Sequence, residues 1–322
     1  MNAEGSGKLE RGVLNFVGNT PLMELTKLCN AHAPHGARVF AKLEFMNPSG
    51  SIKDRMALHM TRQAMENGLL ESKKIVEATS GNTGISFAMI AAELGFEFTA
   101  VMPEFASPER RALMKNYGAK VVLTPASESY TGAVNRARQI AESESAWFPS
   151  QYDNEDNATA HELTTGNEIL SQSPRVDAFV AGVGTGGTLI GVARTVLKKY
   201  PEADIIGVEP RELSLIAGIM NGDGGLESGK IQHKHGIQGI GVGFVPGIFE
   251  RNKKIVKEII TVDTGEAVAF ARELASKEGL SVGISSGANA CASFKAARRM
   301  QGGVVVTVLP DSSDRYYSTG LF

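Results

Sequence analysis

The stretch AFVAGVGTGGTLIGVARTVLKK, residues 178–199, determines the fold class. Residues 178–183 are apolar and have the composition of a buried strand, whereas residues 189–199 follow a helical pattern. Only the small residues GTGGT, at 184–188, separate the two, and a further apolar run begins at residue 205. A strand, a short loop, a helix and a second strand in this order predict a parallel sheet covered by helices.

The rest of the chain repeats this alternation. An apolar run at 74–77 leads through TSGNTG into a helical pattern at 85–94. Further runs lie at 98–102, 120–123 and 304–309, the first two followed by helical patterns at 110–117 and 130–145. We therefore predict an α/β fold of doubly wound, mostly parallel sheets. A length of 322 residues suggests about two domains.

Composition excludes several classes of protein. The chain is 42% hydrophobic with a net charge of −2, which argues against disorder and against an electrostatic footprint for nucleic acid. No apolar run is long enough to suggest a membrane span, and the polar start at 1–12 does not resemble a signal peptide. The two cysteines, Cys29 and Cys291, form no disulfide framework, so a cytoplasmic location is expected. The polar, glycine-rich stretch at 221–235 is predicted to be a surface loop.

The loop at 184–188 has the features of an anion site. Ligands of doubly wound sheets bind beyond the carboxyl ends of the strands. Here small residues allow close backbone approach, the following helix presents free N–H groups, and Thr185 and Thr188 add hydroxyls. We predict a phosphate cradle; the alternative is a tight turn without a ligand.

The same stretch supports a different hypothesis. Residues 182–187 match the pattern GxGxxG, and Glu209 lies about 20 residues further on, as in dinucleotide-binding proteins. An NAD-dependent oxidoreductase is therefore one alternative function. A non-catalytic sensor of phosphate or amino acids is another alternative. Such a sensor would not need a reactive lysine, the role considered below for Lys53.

Two further loops precede helical patterns. Residues 79–84, TSGNTG, offer hydroxyls and helix-start amides that suit a carboxylate, with helix capping by Ser80 or Thr83 as the alternative. Asn82 could bond a phenol-type oxygen. In residues 283–287, GISSG, either Ser285 or Ser286 could cap the next helix or face a ligand.

A lysine lies at the start of a third predicted helix. In NPSGSIKDR, residues 47–55, Ser51 is a reasonable N-cap and places Lys53 in the first turn. The helix dipole disfavours a cation there, which helps to lower the lysine pKa, and a free amine is what Schiff-base chemistry requires. Asp54 and Arg55 are interpreted as structural, and His161 as a core or hinge residue. We expect no metal site.

Together these loops resemble the fold-type II pyridoxal-phosphate enzymes, specifically the cysteine synthase (O-acetylserine sulfhydrylase) and cystathionine β-synthase family. The resemblance covers nearly the whole chain. Its segments are VGNTPLMEL (17–25), KLEFMNPSGSIKDR (42–55), EATSGNTGI (77–85), QYDNEDN (151–157), GTGGT (184–188), IQGIGVGFVP (237–246), GISSGA (283–288) and DRYYSTGLF (314–322). The segment QYDNEDN departs from the family pattern, because it has EDN where a proline is common.

The resemblance implies a tryptophan synthase β-like fold. Residues 45–150 would form a smaller mobile domain with the substrate-carboxylate loop, and residues 12–44 and 151–322 a larger domain with the phosphate loop. The catalytic residue would be Lys53, which would hold pyridoxal 5'-phosphate as an internal aldimine. The other cofactor-binding residues would be Asn82, Gly184, Thr185, Gly186, Gly187, Thr188 and Ser285. The substrate-binding residues would be Thr79, Ser80, Gly81, Thr83, Gln151 and Gly239.

The resemblance also implies a reaction. A β-replacement enzyme of this kind makes L-cysteine from O-acetyl-L-serine and sulfide through an α-aminoacrylate. Cystathionine β-synthase activity and desulfuration of cysteine to hydrogen sulfide remain alternatives. Members of the family are usually homodimers, and some bind the C-terminal tail of serine acetyltransferase. No nucleic acid or membrane partner is expected.

Overall fold

The computed structural model describes residues 12–222 and 235–320. Most of the predicted surface loop at 221–235, namely residues 223–234, lies outside the described residues, as do residues 1–11 of the polar start and the last two residues of the C-terminal segment. The described chain divides into two compact units. The first unit comprises residues 12–18 and 47–150, and the second comprises residues 19–46, 151–222 and 235–320.

Both units are built from alternating strands and helices. The strands of the described residues are β1 (Leu22–Glu24), β2 (Arg38–Leu43), β3 (Lys74–Ala78), β4 (Glu97–Pro103), β5 (Lys120–Thr124), β6 (Ala178–Gly182), β7 (Asp204–Pro210), β8 (Glu258–Val262) and β9 (Val304–Leu309). The helices are α1 (Thr26–His32), α2 (Lys53–Glu66), α3 (Asn82–Leu94), α4 (Pro108–Asn116), α5 (Ser129–Glu144), α6 (Asp156–His161), α7 (Asn167–Gln172), α8 (Gly187–Lys199), α9 (Leu215–Asn221), α10 (Gly247–Asn252), α11 (Thr264–Glu278) and α12 (Ile284–Ala297). A π-helical turn, Glu162–Gly166, joins α6 to α7.

The first unit contains a parallel sheet in the order β3-β4-β5. Its register places Ile75 beside Phe98 and Val101 beside Val122. Helix α5 packs on β3 and β4 through buried alanines, among them Ala133. Each strand is followed by a helix, so the loops that begin helices lie at the carboxyl edge of the sheet.

The second unit contains a six-stranded sheet in the order β1-β2-β9-β6-β7-β8. Only β1, at the edge, is antiparallel to its neighbour, with Leu22 opposite Lys42. Strand β9 is buried at all six residues, as expected for a parallel strand covered on both faces. Helix α12 is also almost completely buried and packs on β9, β6 and α11. The predicted α/β class with mostly parallel sheets is confirmed.

Three features of the described residues relate to the predictions made from composition: the length of the apolar helices, the grouping of metal-binding side chains and the state of the cysteines. None of their helices is both long and apolar enough to cross a membrane. None of their histidine, cysteine and acidic side chains form a group of three that could hold a metal ion. Cys29 and Cys291 are both free and buried, and the thiol of Cys29 accepts the N–H of Val39 at 3.2 Å.

Burial changes the acidity of the two thiols. It raises the pKa of Cys29, and it raises the pKa of Cys291 from 9.0 to about 11. A raised thiol pKa means that the folded state favours the neutral form. The corresponding contribution to stability is complete below pH 9.0 and is lost as the pH rises toward about 11.

We expect neither thiol to react with a disulfide reagent in the native protein at mildly alkaline pH, because both are buried and protonated. The protein unfolded in urea should react at both cysteines and serves as the control. Rapid modification of either thiol without unfolding would contradict the burial of that side chain.

Candidate active site

The loop between β6 and α8 forms a cradle for an anion. Gly186 has a φ of +86°, in the left-handed region that glycine favours, and the Thr185 hydroxyl accepts the N–H of Gly187 at 3.2 Å. Gly184, Thr185 and Gly186 are buried residues, and their N–H groups donate to no acceptor in the described residues. Buried donors without a partner are costly, and a helix N-terminus favours negative charge. The loop therefore fits a phosphate group.

Close packing explains two glycines of this loop. A Cβ atom on Gly184 would lie 2.3 Å from the carbonyl oxygen of Gly239, which is too close for any side chain. A Cβ atom on Gly187 would lie 2.0 Å from Oδ1 of Asn157. The glycines thus leave room for neighbouring protein groups on the side of the loop that packs against them.

Helix α6 supplies side chains that support the loop. The buried Asn157 amide donates from Nδ2 to the Thr185 hydroxyl at 3.0 Å and to the carbonyl oxygen of Gln151 at 2.8 Å. The buried His161 ring places Nε2 at 3.2 Å from the Thr188 hydroxyl. Asn157 therefore connects a predicted substrate residue to a predicted phosphate residue.

Sequence reasoning missed these supporting roles. It quoted Asn157 only as part of QYDNEDN, and its interpretation of His161 as a core or hinge residue is correct for burial but omits the contact with Thr188. The available signal was their spacing of four residues, which places both side chains on one helix face. That face could not be assigned to the loop without the packing of α6 on α8.

Ser285 lies in the first turn of α12 and is buried. A Cβ atom on Gly239 would lie 4.0 Å from its hydroxyl oxygen, and the same Gly239 abuts Gly184. The second unit thus brings Ser285, Gly239 and the phosphate loop together. The neighbouring Ser286 is fully buried, and its hydroxyl has no partner in the described part of the chain.

Lys53 is the first residue of α2, in the first helical turn as expected, and is half-buried. Its N–H donates to the Ser51 hydroxyl at 3.3 Å. The residue directly before the helix is however Ile52, with helical φ and ψ of −55° and −21°, so the cap position predicted for Ser51 is wrong by one residue. The helix starts with a tight turn instead of an extended cap residue.

Asp54 fixes the loop that precedes Lys53. Its carboxylate is fully buried and accepts the N–H of Ser49 at 2.7 Å and the hydroxyl of Ser86 at 2.6 Å. Because Ser86 lies on α3, the carboxylate ties the loop to that helix. These contacts support the structural role predicted for Asp54.

The loop at 79–84 connects β3 to α3. The buried Thr79 hydroxyl accepts the N–H groups of Gly84 at 3.1 Å and Gly81 at 3.4 Å. Thr79 therefore provides the cap for which sequence reasoning named Ser80 or Thr83. Ser80, Gly81 and Asn82 are half-buried, and Thr83 is buried.

Glu209 has a structural role that contradicts the dinucleotide hypothesis. Its carboxylate is 2% exposed and accepts the N–H groups of Ile216 and Ala217, each at 2.9 Å. Burial raises the pKa of this carboxyl, although those hydrogen bonds oppose the change. The side chain caps α9 and is not available to a ligand, so Glu209 does not serve as the acidic residue of the dinucleotide-binding pattern.

Comparison with known proteins shows the family to which the chain belongs. Residues 13–311 match the family described as "Pyridoxal-phosphate dependent enzyme", and the chain belongs to this family. The predicted resemblance, the fold type and the cofactor are therefore confirmed.

Individual relatives are similar over almost their whole length. The cysteine synthase of Staphylococcus aureus is 42% identical over 314 residues, which are 96% of this chain and 96% of the relative. Cysteine synthase B of Campylobacter jejuni is 43% identical over 318 residues, or 98% of this chain and 99% of the relative. The O-acetylserine dependent cystathionine beta-synthase of Helicobacter pylori has a similar crystal structure, with a TM-score of 0.86 and 36% identity, covering 96% of this chain and 98% of that chain.

We expect Thr185→Val to weaken retention of pyridoxal phosphate, because the change removes a hydroxyl from the phosphate cradle. Loss of one hydrogen bond to a charged group is worth about 1.5–3 kcal/mol, or roughly tenfold or more in affinity. The dissociation constant from reconstitution of the apoprotein checks this. Thr261→Val, the same change on β8, is the control; equal affinities in the two variants would argue against the cradle.

Proposed function

We propose that the chain is a cysteine synthase, which makes L-cysteine from O-acetyl-L-serine and sulfide. The observation that carries the proposal is the placement of a hydroxyl, that of Ser285, next to Gly239, whose carbonyl oxygen abuts Gly184 of the phosphate loop. The cysteine synthases of two bacteria, at 42% and 43% identity over nearly the whole chain, support the same reaction.

Separate groups of residues would bind the separate parts of the cofactor. The backbone of Gly184 to Thr188 and the two threonine hydroxyls would bind its phosphate, and the Asn82 amide its ring hydroxyl. The Lys53 amine would bind its carbonyl carbon. When bound, pyridoxal phosphate supplies an electrophilic centre that withdraws electron density from the α-carbon of an amino acid.

Lys53 would also move a proton. Its position in the first turn of α2 places it at the positive end of the helix dipole, which disfavours an ammonium and favours a free amine. Once the amino group of the substrate replaces Lys53 at the carbonyl carbon, the freed amine would accept the proton from the α-carbon of the substrate, and acetate would depart from the β-carbon with the bonding electrons. Hydrosulfide would then form the new bond to the β-carbon, and the proton held by the Lys53 amine would return to the α-carbon.

Ser285 would set the type of reaction. A carboxylate at the ring nitrogen would hold a proton there and spread the electron pair over the ring. A hydroxyl only donates a hydrogen bond and does not maintain that charge. Loss of the β-substituent is then favoured over transamination.

The loop at 79–84 would bind the substrate carboxylate. The residues assigned to the amino-acid substrate are Thr79, Ser80, Gly81, Thr83, Gln151 and Gly239. The start of α3 offers N–H groups and a favourable dipole for a carboxylate. The Thr79 hydroxyl accepts two N–H groups of its own loop, which supports a fixed loop geometry before substrate arrives.

We further infer a cytoplasmic homodimer whose residues 45–150 form the smaller, mobile domain. The C-terminal tail of serine acetyltransferase is the partner that the resemblance suggests. A second reaction, the formation of cystathionine, is favoured by the similarity to the Helicobacter pylori enzyme. Cysteine desulfuration uses the same groups and is the third candidate.

We expect borohydride to attach the pyridoxyl group to Lys53, because that amine is assigned to the cofactor's carbonyl carbon. Peptide mapping of the reduced protein by mass spectrometry locates the label. Lys53→Ala should remain unlabelled, whereas Lys73→Ala, on the exposed turn before β3, is the control and should be labelled as the wild type is.

We expect O-acetylserine to lose its β-substituent faster than serine does, because acetate departs readily whereas hydroxide needs a proton donor. Stopped-flow absorbance of the holoenzyme with each amino acid measures the step, and product analysis with sulfide or homocysteine identifies the acceptor. Faster reaction of serine or cysteine, with homocysteine preferred over sulfide, would favour the alternatives over cysteine synthesis.

A further inference from the structure

Residues 235–243 form a segment that we call the glycine turn. Gly239, Gly241 and Gly243 have φ values of +97°, +65° and +82°. Glycines in the left-handed region have no steric penalty there, but they also have large conformational freedom. The turn therefore depends on contacts from outside its own backbone to keep one conformation.

His235 provides such a contact. Its Nε2 lies 2.9 Å from the carbonyl oxygen of Gly241. A carbonyl oxygen only accepts, so Nε2 carries the hydrogen and donates. A Cβ atom on Gly241 would lie 3.0 Å from this nitrogen and 2.6 Å from Cγ of Pro210, at the end of β7. Gly241 is thus enclosed between an imidazole and a proline ring.

Gly241 is hydrogen-bonded to the residue that precedes the phosphate loop. The N–H of Gly241 donates to the carbonyl oxygen of Val183 at 3.1 Å, one residue before the cradle. Two residues earlier in the turn, the carbonyl oxygen of Gly239 abuts Gly184, and Gly239 also lies beside Ser285. A displacement of Gly241 would therefore be transmitted to both of these neighbours.

The backbone next to His235 is anchored as well. The N–H of Gly236 donates to the Thr264 hydroxyl at 2.9 Å, and the N–H of Thr264 donates to Glu212 at 2.8 Å. Burial alone would raise the pKa of Glu212, but the hydrogen bonds from Thr264 hold it below its usual value. The second ring nitrogen of His235, Nδ1, is buried and has no partner within residues 12–222 and 235–320.

We propose that His235 is a positioning residue, which holds the glycine turn so that Gly239 meets the amino-acid substrate and Gly184 keeps the cradle open. The proposal rests on the proposed function where it assigns Gly239 to the substrate. The contact between Gly239 and Gly184 does not depend on which β-replacement reaction the enzyme performs.

The test compares His235→Gln with His235→Asn in the holoenzyme. The amide nitrogen of glutamine reaches about as far as Nε2 and donates, whereas asparagine is one methylene too short. We expect the KM for O-acetylserine to rise about fivefold to tenfold in His235→Asn, because this variant loses one neutral hydrogen bond. The change in kcat should be smaller. His235→Gln should restore most of the loss. The exposed His35, changed to alanine, is the control.

Phosphorus NMR of the bound cofactor gives a readout that does not require turnover. The phosphate resonance should shift in His235→Asn and return toward the wild-type position in His235→Gln. Resonances and KM values that match the wild type in both variants would overturn the proposal. The same shift of the resonance and the same rise in KM in both variants would also overturn it. If the wild type makes no cysteine, the proposed function fails, while the resonances still decide the role of His235.

Discussion

The close approach of two backbones, at Gly184 and Gly239, is the constraint on which the second unit's site depends. The carbonyl oxygen of Gly239 occupies the place where a side chain on Gly184 would begin. This contact joins the loop after β6 to a turn more than fifty residues later and aligns that turn with Ser285. Any larger residue at position 184 would separate the two segments and displace the loop's N–H groups, which have no acceptor in the described residues.

Sequence patterns predicted the parts of the structure that depend on neighbouring residues. The apolar run at 178–182 followed by glycines gave the β6–α8 loop, and the start of α2 was misplaced by only one residue, because Ile52 continues the helical turn. The antiparallel edge strand β1 was not predicted, since three half-buried residues carry little periodic signal.

Contacts between distant residues could not be read from the sequence. Nothing in the pattern around Glu209 distinguishes a carboxylate that caps α9 from one that binds a ribose; the difference lies in the position of α9 relative to β7. In the same way, Thr79, Ser80 and Thr83 have similar capping potential, and in the fold the hydroxyl of Thr79 turns back to accept the N–H of Gly84. The supporting position of Asn157 follows from packing between segments that lie 28 residues apart in the chain.

Two neighbouring loops at one edge of the larger sheet solve the same physical problem differently. Strands β6 and β7 are parallel and adjacent, and each is followed by a helix whose first N–H groups have no partner within the helix. At α9 the protein supplies its own acceptor, the buried carboxylate of Glu209. At α8 the N–H groups of Gly184, Thr185 and Gly186 have no acceptor in the described residues, although Asn157 and Gly239 pack tightly around the loop. Since the fold places a carboxylate at the adjacent helix start, the open donors at α8 are best explained by an anion that comes from outside the chain, as the phosphate of the family's cofactor does.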